Sequence, residues 1–333
     1  MQDADAPLSR TGRRIAGAGE PSYAFAPDLG PSAVGRASGG PAATERSGNA
    51  VTDIKAAYQR DGYVVVRGLI PETTLETVAS ELATAFHARA RAMGLDAPAA
   101  TDHAGFSRLL TAVFDRDQRS YMATAKMTQA LASMHSLASG PEVVGVVREL
   151  GLQIPVVSTK PVIHYMADAL KITGGYHKTA PHQDWRSVQG SLDGLTIWAP
   201  LFDVGPEDYP LEIVPGSHLR GLLPAVEDRP NWRIDDSLWS DGDFQPLSLA
   251  RGDAVFFSGF TVHRTGVRGG ARVRTAFSFR FNNLLEPTYV DRNFPDPYLY
   301  RPDWTLLREG FPSRAELARV FPAAATQDTP TAP

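Results

Sequence analysis

The sequence predicts an α+β fold: a jelly roll of short strands buttressed by helices that come first along the chain. Three observations predict it. Apolar residues recur at helical spacing between residues 52 and 150. From Gly151 onward, short β-branched or aromatic runs alternate with Gly, Pro and Asp turns. Neither half can cover its own apolar face, so residues 51–322 are expected to form one helix-supported domain.

The elements follow in order. Residues 1–50 are rich in Gly, Ala, Pro, Ser and Arg and lack apolar periodicity. Such a segment cannot bury enough surface to offset its ordering entropy, and is expected to be disordered. Asp53 is placed to cap a short helix that runs through Tyr58 and stops at Asp61-Gly62. Tyr63-Val64-Val65-Val66 reads as a strand. Pro71 then opens a helix with Leu75, Val78, Leu82 and Phe86 along one face. Further helices are expected over 106–114, 119–134 and 142–150. Strands are expected over 156–159, 162–166, 194–201, 211–214, 253–257 and 272–281. The connection 221–249 is long, acidic and carries Trp232 and Trp239. It suits a lid or binding loop, or a surface insertion. Residues 323–333 read as a disordered tail.

Composition narrows the function. Of 333 residues, 43% are hydrophobic and 21% charged, ordinary globular values with material for a sizeable core. The net charge of −4 and the lack of any basic block argue against nucleic acid as a partner. No apolar run reaches the roughly 18 residues of a membrane span. The opening MQDADAPLSRTGRR has acids where a secretory signal needs bases, so a cytoplasmic location is expected. Cysteine is absent, which excludes disulfides, thiolate metal sites, iron–sulfur clusters and cysteine nucleophiles. A metal must be held by His, Asp, Glu or backbone.

Of eight histidines, one set has metal-ligand spacing. His182 and Asp184 stand at i and i+2, which on extended chain point to the same side. His263, just beyond the 253–257 strand, is the best third ligand. Two imidazoles and one carboxylate on one face of an ion form the facial triad of non-haem iron(II) oxygenases. The chemistry needs vacancy: with about six positions on iron, three protein ligands leave roughly three for a bidentate 2-oxo acid and dioxygen. Further on, Arg274, Ala276, Ser278 and Arg280 share one face of an alternating strand, and Val273, Thr275, Phe277 and Phe279 the other. An inward arginine needs an anion, and a dicarboxylate cosubstrate matches its fork. Thr265 can add a hydroxyl to the same carboxylate. Arg272 and Arg280 compete with Arg274 for that role. His164 and His177 are candidates to line the pocket, whereas His218 closes the turn Pro215-Gly216-Ser217 and reads as structural.

Taken together, these segments resemble the phytanoyl-CoA dioxygenase-like branch of the iron(II)/2-oxoglutarate-dependent oxygenases. The resemblance runs from Ala56 to Asn283. It rests on YQRDGYVVVRG from Tyr58, PHQD from Pro181, LEIVPGSH from Leu211, RGDAVFF from Arg251, His263 with Thr265, and Arg274. It implies a double-stranded β-helix, cupin-like, with iron(II) on His182, Asp184 and His263. It implies 2-oxoglutarate on Arg274 and Thr265, with Trp198 close by. It also implies a lysine from the preceding helical region, for which Lys126 is the candidate. The implied activity is a dioxygenase that uses O2 to hydroxylate an unactivated C–H bond, releasing succinate and CO2. Asp184 stands where related halogenases carry a small residue, which disfavours halogenation. The expected substrate is a small organic metabolite, in a specialised biosynthetic pathway; an acyl-CoA would need a basic trough that the sequence does not show. The same site could instead drive desaturation, ring closure or epimerisation. A metal-stabilised jelly-roll binding protein without oxygenase activity is the remaining alternative, though it has no need of Arg274 with Thr265.

Overall fold

The computed structural model describes residues 54–97, 99–100, 102–171, 178–226, 233–295 and 310–326. Asp53, the 1–50 segment, His177, Trp232 and the tail from 327 lie outside them. The chain begins with α1 (Ile54–Asp61), β1 (Tyr63–Val66), α2 (Glu72–Ala92), α3 (His103–Arg116), α4 (Gln118–Thr128), α5 (Ala132–Ala138) and α6 (Pro141–Glu149). It continues with β2 (Pro155–Val157), β3 (Val162–Met166), α7 (Asp184–Val188), β4 (Leu195–Pro200), β5 (Leu211–Ile213), β6 (Ala225–Val226), β7 (Arg233–Ile234) and β8 (Gln245–Pro246). It closes with β9 (Ala254–Ser258), β10 (His263–Thr265), β11 (Arg274–Asn283), α8 (Pro287–Asp291) and α9 (Arg314–Val320).

The strands form the expected jelly roll. A large antiparallel sheet runs β1-β9-β4-β11-β2, with β3 also paired to β11. A smaller sheet runs β10-β5-β8. Side-chain alternation decides what each face does. On one face of the large sheet, Ile197, Ala199, Phe256, Phe277 and Phe279 join the core that holds Leu75, Val78, Leu82, Phe86 and Phe106 from the helices. On the other, Trp198, Val255, Phe257 and Ala276 pack against Leu211 and Ile213 of the small sheet. One face of β11 therefore anchors the helices and the other looks between the two sheets.

Two sequence expectations are corrected. The helix expected over 119–134 is two helices, α4 and α5, with a break at Gln129, Ala130 and Leu131. At that break the Thr128 hydroxyl bonds the Ala125 carbonyl and meets the Tyr165 hydroxyl, so a side chain competes with the helical ladder. Residues 323–326, expected to be disordered, are instead ordered: Pro322–Thr326 forms a 3-10 turn with Ala324 buried, and Arg314 donates to the Ala324 carbonyl. The 221–249 connection carries the β6–β7 hairpin and adds β8 to the small sheet, with Ile234 and Phe244 buried. Among the described residues, no helix is long and apolar enough to cross a membrane.

His218 ties the start of the chain to this frame. Gly62 ends α1 at a φ of +77°, and a Cβ there would lie 2.3 Å from His218 Nδ1, so glycine is required twice over. His218 Nε2 donates to the Gln59 carbonyl at 3.1 Å, and its ring meets Phe321 edge-on. Burial holds the imidazole down to about 4, against a weaker upward pull from the Gln59 carbonyl. The unfolded chain binds this proton near pH ~6.5, so between the two values it holds more protons than the fold. The stabilisation is therefore complete above about pH 6.5 and is lost as pH falls toward the folded value. Urea unfolding at pH 7 and pH 4.5 should show a loss about 2 kcal/mol smaller in His218→Gln than in the wild type. Equal losses would show that another group carries the acid sensitivity.

Candidate active site

The site begins with a backbone pairing. His182, in the chain before α7, exchanges two hydrogen bonds with His263 at the start of β10: His182 N to His263 O at 3.0 Å and His263 N to His182 O at 3.1 Å. This bridge sets the two imidazoles side by side, with ring centroids 4.1 Å apart. Each ring is turned by a carbonyl two residues upstream. His182 Nδ1 lies 2.9 Å from Ala180 O, and His263 Nδ1 lies 3.0 Å from Thr261 O. A carbonyl only accepts, so both Nδ1 atoms carry a proton, and Nε2 is the nitrogen each ring has left for a metal.

Asp184 completes the group. It is not on extended chain, as its spacing from His182 suggested, but is the first residue of α7. Trp185 N donates to Gly259 O, and the indole stacks on Phe260, which fixes that helix start against the barrel. Ligating atoms of His182, Asp184 and His263 all lie within 4.8 Å of one another, and all three residues are buried. Among the described residues, this is the one such cluster able to hold a metal ion. Burial, with the neighbouring His182, pulls His263 down to about 3. Burial alone would raise the Asp184 carboxyl, but Arg280 above all, with His182 and His263, holds it well below the ordinary range. A neutral imidazole and an ionised carboxylate are the forms that bind a cation.

A cavity partly open to solvent adjoins the triad. Thr265 and Arg274 both line it, as does Trp198. Arg274 is buried; its Nη1 donates to the Tyr209 carbonyl at 2.8 Å, and its guanidinium lies 5.4 Å from the Trp198 ring centre. Thr265 Oγ1 accepts from Thr179 N at 3.1 Å and still has a proton to donate. His164 reaches the same space with Nε2 3.0 Å from Ser278 Oγ, and burial, with Arg274 and Arg280 nearby, lowers it to about 3. Lys126 is not in this group: it is exposed on α4 and does not line the cavity. Helical periodicity alone could not fix which face of that helix it occupies.

The sequence left three arginines of one strand in competition, and the structure separates them. Arg272 is exposed and pairs with Asp208. Arg280 reaches the metal-site carboxylate, with Nε 3.0 Å from Asp184 Oδ2 and Nη2 2.9 Å from Oδ1. Arg274 remains beside Thr265 and Trp198. Thr196, which sequence reading did not single out, also donates to Asp184 Oδ2 at 2.7 Å. Tyr209 was missed as well. It holds Arg274 through its carbonyl at a φ of +51°, donates its hydroxyl to Asp168, and lays its ring over Gly269. No local sequence signal marks Thr196 or Tyr209, because both act on groups far away in the chain.

A family model described as phytanoyl-CoA dioxygenase matches residues 58–276. Phytanoyl-CoA dioxygenase domain-containing protein 1 of Mus musculus is 29% identical over 184 residues, covering 50% of this chain and 60% of that protein. Methylphosphonate hydroxylase of Gimesia maris is 28% identical over 123 residues, covering 37% of this chain and 45% of that protein. The match thus spans about three fifths of the mouse relative's length. Among solved structures, EctD from S. alaskensis with 2-oxoglutarate and 5-hydroxyectoine is 17% identical, with a TM-score of 0.47 over 80% of this chain and 88% of that one.

The seat of Tyr209 can be tested directly. A Cβ on Gly269 would fall 1.8 Å from the Tyr209 ring, so the ring must leave. Gly269→Ala should cost about 1–3 kcal/mol in urea unfolding. In a Tyr209→Ala background the same change should cost much less, giving a coupling of more than about 0.5 kcal/mol in a double-mutant cycle. Additive losses would show that the ring is not held there.

Proposed function

Because the chain belongs to the phytanoyl-CoA dioxygenase family, we propose that it hydroxylates a C–H bond of a small organic molecule with iron(II), 2-oxoglutarate and O2. Family membership and the triad together indicate iron(II) and 2-oxoglutarate. The observation that carries the reading is the convergence of His182, Asp184 and His263 in one cavity with Arg274 and Thr265.

The residues fit these groups. Two imidazoles and one carboxylate are nitrogen and oxygen donors suited to iron(II), and a three-residue set leaves positions open. Arg274 offers a planar fork for the distal carboxylate of 2-oxoglutarate, and Thr265 a hydroxyl beside it. Tyr209 and the Trp198 face keep that fork in place. The Ala180 and Thr261 carbonyls keep the Nε2 lone pairs aimed at the metal. Leu211, Phe257 and Trp198 form an apolar wall that limits water near the reacting atoms. When bound, iron(II) and 2-oxoglutarate supply an oxidant made from O2, with succinate and CO2 as by-products.

A small substrate is favoured over a coenzyme A thioester. The coenzyme's phosphates need cations, and two cavity arginines are already engaged: Arg264 by Glu212 and Asp241, Arg280 by Asp184. The presence of Asp184 favours oxygen transfer over halogenation. Nothing in the cavity singles out desaturation, ring closure or epimerisation.

Mixing the protein anaerobically with iron(II) and 2-oxoglutarate should produce a weak visible charge-transfer band. Under air, succinate should appear, and mass spectrometry of a metabolite pool should reveal a product heavier by one oxygen atom. His182→Ala should abolish iron-dependent succinate formation. Arg274→Ala should raise the 2-oxoglutarate concentration needed by roughly 10- to 100-fold, the worth of a hydrogen bond to a charged group. A protein that gives neither band nor succinate is a metal-stabilised binding protein instead.

A further inference from the structure

We propose that Arg280, together with Thr196, fixes Asp184 as a one-oxygen metal ligand and so keeps open the position that its second oxygen would occupy. This rests on reading the site as an iron(II) and 2-oxoglutarate centre. Arg280 on β11 and Thr196 on β4 are direct cross-strand partners, and both reach the same carboxylate. Their three hydrogen bonds are unequally shared. Oδ2 accepts from Arg280 Nε at 3.0 Å and from Thr196 Oγ1 at 2.7 Å. Oδ1 accepts from Arg280 Nη2 at 2.9 Å and lies 3.6 Å from His182 Nε2.

A carboxylate oxygen has about two in-plane lone pairs. Both lone pairs of Oδ2 are therefore occupied, whereas Oδ1 keeps one, and it is the oxygen beside the imidazole that must share the metal. The carboxylate is presented to a cation by one atom only. This has a chemical consequence. A metal with about six positions and three protein ligands has roughly three left, which a bidentate 2-oxo acid and O2 fill completely. An aspartate free to chelate with both oxygens would take one of them.

The choice of side chain fits this role. A guanidinium fork holds both oxygens in one plane, which the point charge of a lysine ammonium does not. Neutralising a buried carboxylate would need only charge. It would not need a threonine hydroxyl as a second donor on Oδ2. Arg280 and Thr196 are thus positioning residues that act through Asp184.

The test uses the full-length protein loaded with manganese(II), which binds nitrogen and oxygen donors and allows its water ligands to be counted. The readout is the broadening of the manganese EPR signal in oxygen-17-labelled water. The wild type should hold about three exchangeable waters and lose about two on addition of 2-oxoglutarate. Arg280→Gln and Thr196→Val should each hold one water fewer and bind 2-oxoglutarate roughly 10- to 100-fold more weakly. Arg280→Lys, which keeps the charge, should match Arg280→Gln in water count. A full water count with wild-type affinity in the variants overturns the proposal. If Arg280→Gln does not fold, the near-isosteric Thr196→Val, which leaves the ion pair intact, decides alone. A wild-type manganese protein whose waters 2-oxoglutarate fails to displace would refute the assignment of the site itself, before any variant is measured.

Discussion

The reciprocal backbone pairing of His182 with His263 is the constraint on which the site depends. Both residues are metal-ligand candidates, and both sit at points where the chain could move: one in the segment leading into a five-residue helix, the other at the first residue of a three-residue strand. Two main-chain hydrogen bonds lock them in register, so the spacing of the imidazoles is set by peptide geometry and not by side-chain packing alone. The same register leaves the ring Nδ1 atoms facing the Ala180 and Thr261 carbonyls, which settles the tautomers. With the Nε2 lone pairs fixed, only the carboxylate remains to be placed, and α7 places it.

The long strand β11 connects this site to the rest of the fold. Its odd-numbered residues Phe277 and Phe279 are fully buried against the helical layer, while Arg274, Ser278 and Arg280 face the cavity. A slip of one residue would exchange these faces and bury guanidinium groups in an apolar core, at a cost no packing gain would offset. The helical layer and the chemistry therefore specify the register of the same strand from opposite sides. This explains why helices α2 and α3, which supply none of the cavity lining among the described residues, still belong to the functional unit.

Much of this was legible in the sequence, for reasons that differ from element to element. The face of α2 could be read because Leu75, Val78, Leu82 and Phe86 obey the helical period along a 21-residue helix. The faces of β11 could be read because period-two alternation runs through ten residues. His182, Asp184 and His263 could be proposed as a set because, of eight histidines, only one stands at ligand spacing from a carboxylate. What was not legible depends on contacts between distant segments. The break after Thr128 reflects a hydroxyl that meets Tyr165. The place of Lys126 depends on a helix rotation that periodicity does not fix. The division of labour among Arg272, Arg274 and Arg280 follows from which acid or carbonyl each meets: Asp208, Tyr209 or Asp184.

That division also resolves an electrostatic difficulty. A buried carboxylate without a partner is costly, and a site built to receive a cation must exist before the cation arrives. Asp184 has its counter-ion in Arg280 from the outset, so the folded protein does not require metal to compensate that charge. On the proposed reading, a divalent ion then brings two positive charges beside a carboxylate whose own charge Arg280 already balances. The dianionic 2-oxoglutarate would balance the charge of that ion, and Arg274 would meet its distal carboxylate with a further positive charge. The guanidinium that pairs with Asp184 would therefore also bias a metal-loaded centre toward a doubly charged cosubstrate over a neutral or singly charged competitor. Charge balance in a buried space thus links the stability of the resting protein to the choice of cosubstrate.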